Sequence, residues 1–193
     1  MNLPKKEIQF LIGCVLGDGH LRIDKACINP RFKCDHGPKQ AEYCEWKKEM
    51  IQSLSPKFKI WTRKTPDKRN GKFYTSATLE TCNKKELLQL YHMFYKDKKK
   101  VISKGIYSYF NELSLAVMFM DDGYKTSHSI MISTNCFNKI ELEDFIDFLF
   151  DKFKIRFNIM SDNKIYLPAK FYNTFKELVI EHIHPTMLYK LPK

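Results

Sequence analysis

Two carboxylates sit at matched places in this chain. Asp18 closes the run LIGCVLGDG, residues 11–19, and Asp122 closes LAVMFMDDG, residues 115–123. Each acid stands between an apolar, helix-like run and a glycine. Glycine explains why a helix would stop there. It does not explain the acid, which faces the negative end of the helix dipole. Two such acids in one chain point to a compensating cation. Gly13, Gly17 and Ala116 are small enough to let the two runs pack side by side as helices, which would bring Asp18 and Asp122 together. Carboxylates that close need a divalent ion or a shared proton. A carboxylate pair holding Mg²⁺ suits phosphodiester hydrolysis, where metal activates water and stabilises the leaving oxygen.

The elements that would position these acids recur. After the first run, HLRID and PRFKCD alternate as strands do. Tyr43, Trp46, Met50 and Leu54 mark one helical face. Strands are predicted at 57–63 and 72–79, joined by a turn at Asn70-Gly71, and Leu87, Leu90, Tyr91 and Phe94 mark another helix. After the second run come SIMIST as a strand, a capping box at Asn138 and Glu141, and a helix with Leu142, Phe145, Ile146, Leu149 and Phe153 inward. A hairpin over 154–166 and a helix with Tyr172, Phe175, Leu178 and Val179 inward complete the copy. The motif aspartates lie 104 residues apart, about one copy. The expected fold is α+β: two pseudo-symmetric αββαββα repeats at 1–97 and 110–193, with a charged linker at 98–109.

The formal charge is +11, carried by the first repeat and linker. Such an excess favours a polyanionic partner. Strand alternation sharpens this. Lys57, Lys59, Trp61 and Arg63 share one face, with Phe58 and Ile60 on the other. Lys72, Tyr74, Ser76 and Thr78 oppose Phe73, Ala77 and Leu79, and Lys154, Arg156 and Asn158 oppose Ile155, Phe157 and Ile159. A basic, aromatic sheet face fits the DNA major groove, and the other face is expected to be buried.

Other classes find less support. No apolar run reaches the about 18 to 20 residues of a membrane span, and MNLPKKEIQF does not resemble a secretory signal. The compartment expected is intracellular: an organelle, suggested by residue usage typical of AT-rich genes, or bacterial or phage cytoplasm. The six cysteines contain no C-x-x-C pair, so a disulfide framework is not expected. Cys34 and His36 could ligate zinc, but their spacing matches no common zinc module. His36 otherwise reads as a satisfied buried histidine.

Both runs resemble the nonamer motif of the LAGLIDADG homing endonucleases, and the two-repeat pattern, ELSLAVMFMDDG and the tail TMLYKLP resemble its single-chain, group I intron-encoded members. The resemblance implies motif helices packed at a central interface and saddle-shaped antiparallel sheets laid in the major groove of a long DNA site. Both strands would be cut to leave 3′ overhangs, with two or three Mg²⁺ ions that Mn²⁺ or Ca²⁺ could replace in binding. The implied metal ligands are Asp18 and Asp122, with Gly17 and Asp121 beside them. Asp121 reads otherwise as a cap, a group behind the ligands or an exposed acid. Lys190 matches the family's lysine near the scissile phosphate. Its first-repeat counterpart is Lys99, with Lys100 the close alternative. The implied DNA-contacting set is His20, Arg22, Arg31, Lys33, Lys57, Lys59, Trp61, Arg63, Lys72, Tyr74 and Ser76 in the first repeat. In the second it is Lys125, Ser129, Met131, Ser133, Lys154, Arg156, Asn158, Lys164 and Tyr166. A monomer acting on double-stranded DNA is expected. The rivals are an RNA maturase bound to its intron and a non-cutting DNA-binding regulator.

Overall fold

Each apolar run forms a helix, and each alternating stretch forms strands. The structure, a computed structural model, describes residues 2–192. It begins with helix α1 (Lys5–Leu16), strands β1 (His20–Arg22) and β2 (Arg31–His36), and helix α2 (Ala41–Glu49). Strands β3 (Lys57–Thr62) and β4 (Thr75–Glu80), helix α3 (Leu88–Phe94) and the ribbon β5 (Tyr95–Lys96) with β6 (Lys99–Lys100) follow. The pattern restarts with α4 (Glu112–Asp122), β7 (Gly123–Lys125), β8 (Ile130–Ile132) and α5 (Lys139–Phe153). It closes with β9 (Asn158–Ile159), β10 (Ile165–Tyr166), α6 (Tyr172–Val179) and a 3₁₀ segment at Pro185–Lys190. Two four-stranded antiparallel sheets result, ordered β1-β2-β4-β3 and β7-β8-β10-β9.

Helices α1 and α4 pack against each other at the centre. From Phe10 to Leu16 on α1 and from Leu113 to Asp121 on α4, every residue is buried. The approach is close because α1 lacks side chains where α4 crosses it. A Cβ on Gly13 would lie 2.5 Å from the Ser114 carbonyl oxygen and 2.8 Å from Val117 Cβ, and one on Gly17 would collide with Asp121 Cβ. The Ser114 hydroxyl donates to the Gln9 carbonyl at 2.7 Å, tying the helices together. A capping box at Asn111 starts α4, and the expected box starts α5, where Glu141 N–H donates to Asn138 Oδ1 at 3.0 Å.

The sheets depart from expectation at their far ends. Strand β3 stops at Thr62 and β4 starts at Thr75, so 63–74 form a long loop turned at Asn70-Gly71, where Gly71 has φ +68°. Among the described residues nothing covers this projecting end. Ile60 is therefore 56% exposed and Phe73 59% exposed, although alternation had assigned both to the buried face. In the second repeat, Lys154 adopts a left-handed cap at the end of α5, and the strand begins only at Asn158.

Gly13→Val places backbone and side chain of α4 in the way. Overpacking of this kind costs about 1–3 kcal/mol, so urea unfolding should show a lowered midpoint. An unchanged midpoint would mean that the helices do not pack as described.

Candidate active site

The two motif helices end together, and their ends carry the acids. Gly19 and Gly123 are needed for space rather than for a left-handed turn. A Cβ on Gly19 would lie 2.7 Å from the Cys14 carbonyl oxygen, and one on Gly123 would run into the Phe119 ring. The chain can thus fold straight back into β1 or β7, leaving Asp18 and Asp122 at the helix tips. Asp18 is exposed and Asp122 half-buried. Burial, then the charges of Asp18 and Asp121, push Asp122 up to about 7. Burial and Asp121 also raise Asp18. Among the described residues neither acid has a Lys or Arg ion pair. They are charge-starved, which is the condition a divalent cation relieves.

Two lysines lie beside them with matched contacts. Lys100 Nζ donates to the carbonyls of Gly17 (3.3 Å) and Gly19 (3.1 Å). Lys190 Nζ donates to those of Met120 (2.6 Å) and Asp121 (2.8 Å). Each ammonium thus caps a helix C-terminus, where a cation is favoured. Burial lowers the pKa of both. Lys99, the expected first-repeat lysine, is exposed on β6. Neighbouring strand residues point oppositely, so only one of the pair can reach inward, and that one is Lys100.

The Asp121 side chain is neither a cap nor exposed: it is buried behind Asp18, with oxygens of the two carboxylates within 4.8 Å of each other. It turns into the first repeat through the gap left by Gly17. There Lys47 Nζ, from α2, bonds both of its oxygens at 2.7 and 2.8 Å, and the Tyr43 hydroxyl donates to it at 2.8 Å. All three are buried. Burial works against the Lys47 charge, but Asp121 and the nearby thiols outweigh it, and the ammonium sits above its ordinary range. With its carboxylate engaged, Asp121 has only its main-chain carbonyl to offer a metal at the helix tips, the counterpart of the Gly17 carbonyl. Lys47 was not singled out from sequence, and Tyr43 was read only as part of a buried helical face. Each fell on a helical face without a motif, and the partner lies 74 or more residues away.

Beside the helix tips, the open face of the first sheet gathers the expected groups. Register places His20 opposite Lys33, Arg22 opposite Arg31, and Trp61 opposite Ser76. Arg22 and Arg31 hold Asp24 at 2.9 and 3.2 Å, Lys33 holds Asp35 at 2.7 Å, and Lys59 holds Glu80 at 3.2 Å. Thr78, expected to be exposed, is buried between Asp35 and the Trp61 indole, which donates to it at 2.9 Å. Arg63, Lys72 and Tyr74 lie on the projecting loop. Lys57 is exposed on β3, and Ser76 is half-buried.

The second sheet offers less. Its open face carries Tyr124, Met131, Tyr166 and Asn158, paired across the strands; Tyr124 was overlooked for its neighbour Lys125, which is exposed at the end of β7. Ser133 is half-buried, and Lys164 pairs with Asp162 at 2.6 Å. Ser129 is buried. Lys154 donates back to the Asp151 carbonyl, and Arg156 pairs with Asp147. These two bases lean on α5 because residues 154–157 are not a strand.

Comparison with known proteins agrees with this architecture. A family model described as the LAGLIDADG DNA endonuclease family matches residues 8–177. The chain is 32% identical to the probable intron-encoded endonuclease 1 of Wickerhamomyces canadensis, over 98% of this chain and 85% of that protein. It is 25% identical to the cytochrome b mRNA maturase bI2 of Saccharomyces cerevisiae over 95% of this chain, but spans only 47% of that protein. A solved structure, the homing endonuclease I-WcaI bound to its DNA recognition sequence, matches with a TM-score of 0.87 and 27% identity, over 100% of this chain and 88% of that one.

Lys47→Met would strand the buried Asp121 carboxylate. Breaking one side of such a pair costs about 3–5 kcal/mol, whereas replacing both partners by apolar groups is often near neutral. Denaturant unfolding of Lys47→Met, Asp121→Leu and the double variant should therefore show strong positive coupling. Additive losses would show that the ion pair is not formed.

Proposed function

The chain belongs to the LAGLIDADG DNA endonuclease family, and we propose that it is a monomeric, Mg²⁺-dependent homing endonuclease that cuts both strands of a long DNA site to leave 3′ overhangs. The observation that carries this reading is the pair of charge-starved carboxylates at adjoining helix tips, each beside a lysine and an open sheet face. We assign residues 1–97 and 110–193 to the two repeats and 98–109 to the linker. The Lys96–Lys99 pairing crosses the first boundary, so the linker begins inside the β5–β6 ribbon.

Asp18 and Asp122, with the main-chain carbonyls of Gly17 and Asp121, would hold the divalent ions. A bound ion supplies activation of water and stabilisation of the departing oxygen. The chain itself does the rest. Lys100 and Lys190 hold protons at Nζ beside the helix tips, where they can donate to phosphate oxygens. The sheets position the duplex: Lys and Arg on phosphates, and Arg22, Arg31, Trp61 and Tyr124 toward base edges and methyl groups. The ion pairs of the first sheet hold its bases in fixed places before DNA arrives. The compartment is an organelle or a bacterial or phage-infected cytoplasm.

A second reading, an RNA maturase that assists splicing, is favoured by the likeness to the yeast maturase. The two separate by substrate. The DNA flanking this reading frame, joined without any intron, should be cut on both strands with Mg²⁺ and left intact with EDTA. Binding to the intron transcript with no binding to that DNA would favour the maturase. Binding to the DNA without cutting would favour a regulator.

The lysines give a sharper test. Proton-handling groups typically contribute on the order of 10²-fold or more, so Lys100→Ala and Lys190→Ala should each slow single-turnover cleavage by about that factor at unchanged DNA affinity. Lys99→Ala should stay within about twofold. The reverse ranking of Lys99 and Lys100 would overturn the assignment.

Proton and metal should also compete at Asp122. Its carboxylate is raised to about 7, so the acid form fills as pH falls through that value and metal binding weakens. Mn²⁺ affinity, read by calorimetry, should be roughly tenfold weaker at pH 6 than at pH 8. A pH-independent affinity would contradict the site.

A further inference from the structure

A second cluster of ligating side chains lies beneath the first sheet and takes no part in the proposed hydrolysis. Cys34 and His36 alternate on β2, so both point inward. Cys44 comes from α2, packed beneath that sheet. Their sulfur and nitrogen atoms lie within 4.8 Å of one another, and all three residues are buried. Sequence spacing did not suggest the third ligand, because Cys44 is brought in by the packing of a helix on a sheet.

His36 is the independent sign that something is held here. Its side chain is almost completely buried, yet among the described residues neither ring nitrogen has a hydrogen-bond partner. Nδ1 stands 3.5 Å from Asp18 Oδ2 without forming a bond. A buried polar group left unmade costs about 1–3 kcal/mol, and an apolar residue would fill the same space without that cost. Cys44 donates weakly to the Ala77 carbonyl at 3.6 Å.

We propose that Cys34, His36 and Cys44 form a structural zinc site that pins β2 to α2 beneath the first half of the active site. Two thiolates, one neutral imidazole and Zn²⁺ sum to zero charge, which suits burial. The neighbouring Lys47 charge is already met by Asp121. The ligand set is the soft sulfur and nitrogen mixture that selects zinc over Mg²⁺. The fourth position falls to water. Closing the cluster onto a metal draws the three atoms inward by about an ångström, given Zn–S near 2.3 Å and Zn–N near 2.0 Å. A zinc-bound ring would direct its other N–H toward Asp18, in the way that metal-bound histidines donate to carboxylates. The second repeat has no equivalent, since β8 places Ile130 and Ile132 inward. The clamp therefore serves one half-site only. It does not depend on the endonuclease reading, because a maturase or a regulator of this fold would carry it equally.

The test is metal analysis of the full-length chain, purified without chelators from zinc-supplemented culture. About one zinc per chain is expected, as for a single structural site. Cobalt exchange should give the visible bands of tetrahedral Co²⁺ and a thiolate charge-transfer band. Cys34→Ser and Cys44→Ser should each abolish both signals, whereas a Cys27, Cys82 and Cys136→Ser triple variant should keep them. If the single variants fail to fold, the triple variant alone decides, because its only remaining thiols are the cluster and Cys14. Absence of zinc and of the cobalt bands in that protein, or their survival in folded Cys34→Ser, would overturn the site.

Discussion

The close crossing of α1 and α4 is the constraint on which the rest depends. Gly13 and Gly17 leave no side chain where Ser114, Val117 and Asp121 come in. Only at that separation do both helices end side by side, and only then does the charge of Asp18 help to raise the proton affinity of Asp122. Each helix is turned directly into its sheet, so the same crossing sets the two sheets about the acids. Core, site and binding face are thus consequences of one helix–helix contact.

That contact creates an electrostatic problem, and the chain answers it in three ways. Lys100 and Lys190 satisfy the carbonyls at the helix ends, where acids alone would be repelled. Lys47 holds the Asp121 carboxylate buried behind Asp18, so that two carboxylates rather than three face outward. Among the described residues the remaining pair has no lysine or arginine ion pair, which keeps it available to a cation. The Gly17–Asp121 pairing also makes the pseudo-symmetry imperfect. A glycine on one helix receives an acid from the other, and only the first repeat supplies the buried lysine that holds it.

Much of this was legible in the sequence because it is local. The motif runs, helix faces, the Asn138–Glu141 box and the αββαββα order all follow from short-range periodicity, and the two motif aspartates follow from their spacing. What escaped is long-range or end-dependent. Lys47 and Tyr43 carry no motif, and their partner is on the other repeat. Lys99 and Lys100 could be separated only by knowing which one a two-residue strand turns inward. Ile60 and Phe73 obey the alternation but sit on a projecting end that nothing covers. Lys154 and Arg156 were given strand geometry, but a left-handed cap turns them onto the acidic helix. His36 was read as satisfied because burial is legible from alternation and hydrogen bonding is not.

The central claim is that the two helix-tip acids form one metal-dependent cutting centre. It is tested most directly by making Asp18→Asn and Asp122→Asn and measuring binding and cleavage of the same DNA site in parallel. Both variants should bind as tightly as the parent, since the sheets are untouched, and neither should make a double-strand break. Double-strand cutting at the parental rate by either variant would contradict the account.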